Sequence, residues 1–199
     1  MSFEQSVSET VLILAASTAV FAILFAARLA IRALAGGAAP AGGSGAPDVA
    51  GVIALPPFIF LGFLVAATVL EAVAPLPVLT AHELARYLAG AALAVLGFVL
   101  IGMGTRRFLA AGTNIPPTLP TTALVVDGIY RRTRNPLYLG TTLVYLGLAV
   151  AAGSLWAILL MVPLLWVINV GVIVREERYL ERKFGDAYRE YKARVRRWV

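Results

Sequence analysis

The sequence predicts an all-α, polytopic membrane protein with about five transmembrane helices and a cytosolic amphipathic C-terminal helix. Three observations carry that prediction. Hydrophobic residues make up 60% of the 199 and charged residues 14%, against an apolar share near one half in soluble domains. The apolar residues gather into uncharged runs long enough to cross a hydrocarbon core about 30 Å thick. Arginine and lysine, in turn, fall almost entirely at one end of those runs, which is the positive-inside pattern. Cysteine is absent, so disulfides, thiolate metal sites and a cysteine nucleophile are excluded.

Residues 1–35 are expected to form the first transmembrane helix, around "TVLILAASTAVFAILFAA". The opening "MSFEQSVSET" holds Glu4 and Glu9 and no basic residue. It lacks the positive n-region of a cleaved signal, so the first apolar segment is expected to stay in the mature chain. Residues 36–51, with "GGAAPAGGSGAPD", have the composition of a flexible linker. Residues 52–110 hold the second and third spans, in "VAGVIALPPFIFLGFLVAATVL" between Asp48 and Glu71 and in "YLAGAALAVLGFVLIGMGT" from Tyr87. Thr80 and Glu83 stand at capping-box spacing just ahead of the third, and the single histidine, His82, belongs to that cap.

Residues 111–199 form the last unit: a loop, an apolar hairpin and the tail. Phe108 to Val126 is uncharged, yet it contains Pro116, Pro117, Pro120 and Asn114, and a lipid-exposed helix does not tolerate those broken backbone bonds. It reads as a loop or re-entrant segment packed against protein. From Asn135 to Val174 there is no charge; roughly 60 Å of helix means two crossings, turning near Gly153 and Ser154. Asn135 reads as the N-cap of span four and Pro136 as its first helical residue. Gly140 and Gly147, a heptad apart, permit close helix packing; for Gly147 that is the whole reading, whereas Gly140 also lies near enough to the helix start to admit a ligand. In the tail, Leu180, Phe184, Tyr188, Tyr191, Val195 and Trp198 recur at spacings of three and four. Gly185 marks a kink, with Asp186 capping a second helical piece.

With the N-terminus outside and five alternating spans, the inside receives Arg28, Arg32, Arg106, Arg107, Arg131, Arg132, Arg134, Arg175 and every later basic residue, leaving only Arg86 outside. Orientation and attraction to anionic lipid heads account for the net charge of +6 without nucleic acid. Three polar segments then converge on the inner side: the loop, the start of span four and the end of the hairpin. There Glu176 and Glu177 are the most informative charges. Either they pair with Arg131, Arg132 or Arg134 in an interfacial ion-pair cluster, or they bind a ligand bearing hydroxyl or ammonium donors.

The run "AGTNIPP…ALVVDGIYRRTRNPLYLG", an apolar hairpin and "REERYLERKFGDAYREYKARVRRW" resemble the integral membrane methyltransferases typified by isoprenylcysteine carboxyl methyltransferase and phosphatidylethanolamine methyltransferase. The resemblance covers Ala111 to Trp198. It implies S-adenosylmethionine as methyl donor, bound on the cytosolic side, and a lipophilic or lipid-anchored acceptor entering from the bilayer. Residue by residue it implies that Tyr130, Asn135, Pro136, Tyr138, Gly140, Glu176 and Glu177 serve the cofactor, with Arg134 and Arg197 as catalytic groups suited to an anionic acceptor head. Where many members have histidine this chain has Asn135, so no ionisable side chain stands there. No metal is implied, because the sulfonium methyl is already activated and the enzyme has mainly to align the reactants and exclude water.

The acceptor stays open among an isoprenylcysteine-type carboxylate, a lipid amine and an isoprenoid lipid, and oligomeric state is not readable. Alanine and arginine usage points to a bacterial inner membrane. Two rivals are a membrane reductase of the steroid-reductase type using NADPH, and a non-catalytic lipid-binding protein. The block from Gly128 to Gly140 followed by paired glutamates favours a methyl donor over the first; the convergence of polar motifs on one side argues against the second.

Overall fold

A computed structural model describes residues 3–34, 48–77 and 82–199, and every regular element among them is helical. The helices are α1 (Phe3–Leu34), α2 (Pro56–Val73), α3 (Glu83–Ala110), α4 (Pro136–Ala152), α5 (Leu155–Ile168), α6 (Val174–Phe184) and α7 (Asp186–Arg194). A π turn, Asn169–Ile173, joins α5 to α6, so that Leu155–Phe184 runs as one long helix. Among the described residues, four stretches are long and apolar enough to cross a membrane: Glu4–Ile23, Pro56–Val73, Glu83–Ala110 and Leu155–Phe184. The apolar α4 is shorter, at 17 residues.

The α3/α4 pair is the tightest packing in the bundle. A Cβ on Gly97 would lie 2.5 Å from the Gly140 carbonyl oxygen, and one on Gly140 2.6 Å from that of Gly97. One turn pair away, Gly90 and Gly147 oppose each other in the same manner at 2.5 Å each way. Two heptad-spaced glycines on each helix therefore let antiparallel backbones touch, as small residues do where no hydrophobic force drives helices together. The close-packing expectation for Gly140 and Gly147 holds, and its partners are Gly90 and Gly97. Gly97→Leu is expected to cost about 1–3 kcal/mol by overpacking, read as an earlier midpoint in denaturant unfolding of the detergent-solubilised protein.

The hairpin turns at Gly153 and Ser154 as expected. Gly153 takes the left-handed conformation (φ 71°), its N–H bonds the Val150 carbonyl at 3.0 Å, and Ser154 N–H bonds that of Ala149 at 3.1 Å, a Schellman closure. Ser154 Oγ then caps α5 through Ala157 N–H at 3.2 Å and donates to the buried Glu71 carboxylate at 2.6 Å. Below this turn the main core joins Leu14 of α1, Phe60 and Leu64 of α2, Tyr145 of α4, and Leu164 and Ile168 of α5.

Several boundaries differ from expectation. Thr80 lies outside the described residues, and α3 starts at Glu83 behind His82, with no side-chain cap. Most of the expected linker 36–51, namely 36–47, is likewise outside them, but residues 48–55 are anchored, not free. Ala50 N–H bonds Pro117 carbonyl at 3.2 Å, Ile53 N–H bonds Gly171 carbonyl at 3.2 Å, and Arg175 donates to Gly51 carbonyl at 2.9 Å. The π turn and the missing Cβ of Gly171 make room for this strap, since a Cβ there would sit 2.8 Å from Ile53 Cγ1. Asp48 fastens its other end, accepting from Tyr179 at 3.0 Å and from Lys183, contacts that hold its carboxyl below the usual range.

The loop after α3 is non-helical apart from one 3-10 turn, Gly128–Arg131, as its prolines require. Thr113 Oγ1 accepts Thr122 N–H at 2.9 Å and Asn114 donates to the Pro120 carbonyl at 2.8 Å, which folds the loop on itself. The tail does not simply lie on a membrane. Its apolar face is spent on protein: Tyr188 and Tyr191 are buried with Val125 and Tyr130, and Tyr191 donates to the Tyr130 carbonyl at 2.8 Å. The kink is at Gly185 (φ 55°, ψ −128°), which itself takes the N-cap position; Asp186 begins α7 and pairs with Arg189 rather than capping. Gly185→Ala is expected to cost about 1–3 kcal/mol, because only glycine adopts that backbone without strain. Thermal unfolding would read the loss.

Candidate active site

The loop, the start of α4, α6 and the tail line a partly open cavity of about 100 Å³ at one end of the bundle. Its lining includes Tyr130, Arg134, Asn135, Pro136, Tyr138, Glu176 and Glu177. Seven of the nine site residues read from the sequence are thus brought together. Gly140 and Arg197 are not among them. Gly140 is pressed against Gly97 of α3, so its reading as a cofactor contact gives way to helix packing.

Arg197 is engaged elsewhere. Its Nε and Nη2 form a bidentate pair with Glu177 at 3.0 and 2.7 Å, and Nη1 donates to Asn169 Oδ1 at 2.9 Å. Its reading as a group that meets the acceptor is replaced by one that closes the chain onto the π turn. Arg134 Nη2 meets the same carboxylate at 2.9 Å, and Nη1 donates to the Lys192 carbonyl at 3.1 Å. Glu177 and Arg134 expose only 7% and 9% of their side chains, so this is a buried Arg–Glu–Arg cluster. The ion-pair alternative weighed from the sequence therefore holds for Glu177, with Arg134 and Arg197 as partners.

Asn135 starts α4 but does not cap it with its side chain. Its Nδ2 donates to the Arg197 carbonyl at 3.0 Å, Thr133 Oγ1 donates to that carbonyl at 3.1 Å, and Arg134 N–H bonds the Arg196 carbonyl at 3.0 Å. Thr133 Oγ1 also accepts the Asn135 N–H at 3.2 Å. Residues 133–135 and 196–197 form a clasp that fixes the cavity wall. Nothing in the sequence around Thr133 signalled its part.

Glu176 differs from its neighbour. It has no salt-bridge partner among the described residues, and it accepts a hydrogen bond of 2.5 Å from Tyr138 Oη. Two residues lining the cavity carry buried donors with no hydrogen-bond partner, Tyr130 Oη and Arg134 Nε. Burial pushes the phenols of Tyr130, Tyr188 and Tyr191 up from their ordinary value, so they stand as neutral donors.

A second, apolar cavity of about 300 Å³ lies between α2, α3, α4 and the proline loop, lined by residues such as Phe60, Ile101, Thr105, Leu119 and Thr141. Ile115, Pro116, Pro117, Leu137 and Tyr138 line both cavities. Tyr138 thus stands where a polar site and an apolar one adjoin.

Comparison with known proteins agrees with this arrangement. A family model described as phospholipid methyltransferase matches residues 85–187. An uncharacterised protein of Haemophilus influenzae is 46% identical over 63 residues, which is 32% of this chain and the whole of that protein. Protein-S-isoprenylcysteine O-methyltransferase of Schizosaccharomyces pombe is 39% identical over 72 residues, 36% of this chain and 30% of the yeast enzyme. No solved structure matches. The family match covers more than half of the chain and spans α3, the loop, the glycine-packed hairpin and both glutamates, and the chain belongs to the phospholipid methyltransferase family.

Proposed function

We propose that this chain is a membrane methyltransferase that takes its methyl group from S-adenosylmethionine and delivers it to a lipophilic acceptor. The observation that carries the proposal is the pair of adjoining cavities, one polar with unsatisfied donors and one apolar, that share Tyr138. The polar cavity suits the donor. A carboxylate would satisfy Tyr130 Oη and Arg134 Nε. The positive dipole end of α4 adds to the attraction for a carboxylate.

When bound, the donor supplies an electrophilic methyl. The chain's own residues then have three tasks. Arg134 and Tyr130 orient the donor. The proline loop and the Tyr188/Tyr191 cluster exclude water. Leu137 and Tyr138 hold the acceptor's reacting end in line, where proximity alone contributes several kcal/mol. The apolar cavity takes the acceptor's tail directly from between the helices, which agrees with a lipid or lipid-anchored acceptor. The distribution of arginines supports a cytosolic site and an outside N-terminus, and alanine and arginine usage supports a bacterial inner membrane. The family match favours neither the reductase nor the lipid-carrier alternative.

The test is transfer of labelled methyl from S-adenosylmethionine into the organic extract of membranes containing the protein. Label above that of control membranes is expected. Label equal to the control, together with oxidation of NADPH, would overturn the reading.

A further inference from the structure

The charges around the junction of the two cavities bear on the acceptor. Among the described residues lining the apolar cavity none is charged; its polar groups are the hydroxyls of Thr105, Thr118, Thr141 and Tyr138. Of the two arginines that would suit an anionic acceptor, Arg197 lines neither cavity, and Arg134 is paired with Glu177 through Nη2 while its Nε is assigned above to the donor. What an acceptor head does meet at the junction is Tyr138 Oη, with Glu176 directly behind it at 2.5 Å. A carboxylate head would approach the Glu176 carboxylate, which has no salt-bridge partner among the described residues, a repulsive arrangement where water is excluded.

Resting on the methyl-donor reading above, we propose that Tyr138 and Glu176 are the proton-accepting pair of the site, and that they select acceptors with an uncharged N–H, O–H or S–H head against carboxylates. The head's lone pair forms the new bond to carbon as the sulfur–methyl bond breaks, and sulfur leaves with the bonding pair as a neutral thioether. The methylated head, now positive, gives its proton to the Tyr138 oxygen, while the Tyr138 proton passes along the existing hydrogen bond to Glu176. The carboxylate ends as the neutral acid, and charge balances without any further reactant. This is general base catalysis through a hydroxyl.

The protein in lipid nanodiscs is first titrated with S-adenosylhomocysteine; if none binds, the donor reading itself fails and this inference falls with it. On the loaded protein, dodecylthioacetamide and dodecylthioacetate, which share a tail and differ in head charge, are then compared. The amide is expected to bind about tenfold or more tightly, and Glu176→Gln is expected to bring the two within about threefold. Equal binding, preference for the carboxylate, binding of neither, or a ratio untouched by Glu176→Gln would each overturn the proposal while leaving donor binding intact. Turnover gives a second readout: dodecanethiol is expected to be methylated and dodecanoate not. Tyr138→Phe is expected to slow the thiol reaction on the order of 100-fold with S-adenosylhomocysteine affinity within about threefold. Methylation of the acid alone, of neither, or an undiminished Tyr138→Phe rate would refute it.

Discussion

Glu177→Ala is expected to lower stability by about 3–5 kcal/mol, the scale for breaking a buried ion pair and leaving its partner charged. The carboxylate holds Arg134 at 2.9 Å and Arg197 at 2.7 Å, and Arg197 in turn reaches Asn169 of the π turn. Removing it strands the Arg134 guanidinium and leaves residues 196–197 held to the start of α4 only by the Thr133, Arg134 N–H and Asn135 hydrogen bonds, so hydrogen exchange in that segment should rise along with the lost stability. Glu181→Ala supplies the contrast. It also has two cationic partners, Arg189 and Lys192, at 3.3 Å each, but on an exposed surface, where such pairs contribute about 0–1 kcal/mol. Equal losses for the two variants would contradict the assignment of Glu177 as the buried centre of the Arg–Glu–Arg cluster.

Arg134→Gln is expected to weaken donor binding by about 10–100-fold, the equivalent of one charge-assisted hydrogen bond. Arg197 still satisfies Glu177 in that variant through both of its oxygens, so the cluster keeps a bidentate pair while the cavity loses the unsatisfied Nε. Tyr130→Phe removes the other unsatisfied donor and is expected to cost about tenfold at most, since the lost group is neutral. Binding of S-adenosylhomocysteine by calorimetry measures both. The order of the two effects matters more than their size, because it reports which donor carries the carboxylate.

Much of this was legible in the sequence, for reasons that differ by element. Span boundaries came from uncharged runs, and the hairpin turn from Gly153, whose left-handed conformation is a local need. The loop was legible because prolines forbid helix. The α3/α4 contact was half legible: Gly140 and Gly147 showed one side of it, but their partners Gly90 and Gly97 are separated from them by the whole loop. The clasp was least legible. Asn135 carries the residue type and position of an N-cap, and only the return of Arg197 to within hydrogen-bond reach diverts its side chain. Likewise Glu176 and Glu177 are adjacent and chemically alike, yet successive helix positions point about 100° apart. One faces Tyr138 and the other the arginines, a division that spacing alone does not give.

The central claim is that the cavity between the loop, α4 and the tail binds S-adenosylmethionine. Calorimetric titration of the purified protein in detergent with S-adenosylmethionine and, separately, with NADPH tests it most directly. Saturable one-site binding of S-adenosylmethionine, no binding of NADPH, and loss of the former in Arg134→Gln are the predicted results. Binding of NADPH alone, binding of neither, or S-adenosylmethionine affinity unchanged by Arg134→Gln would contradict it.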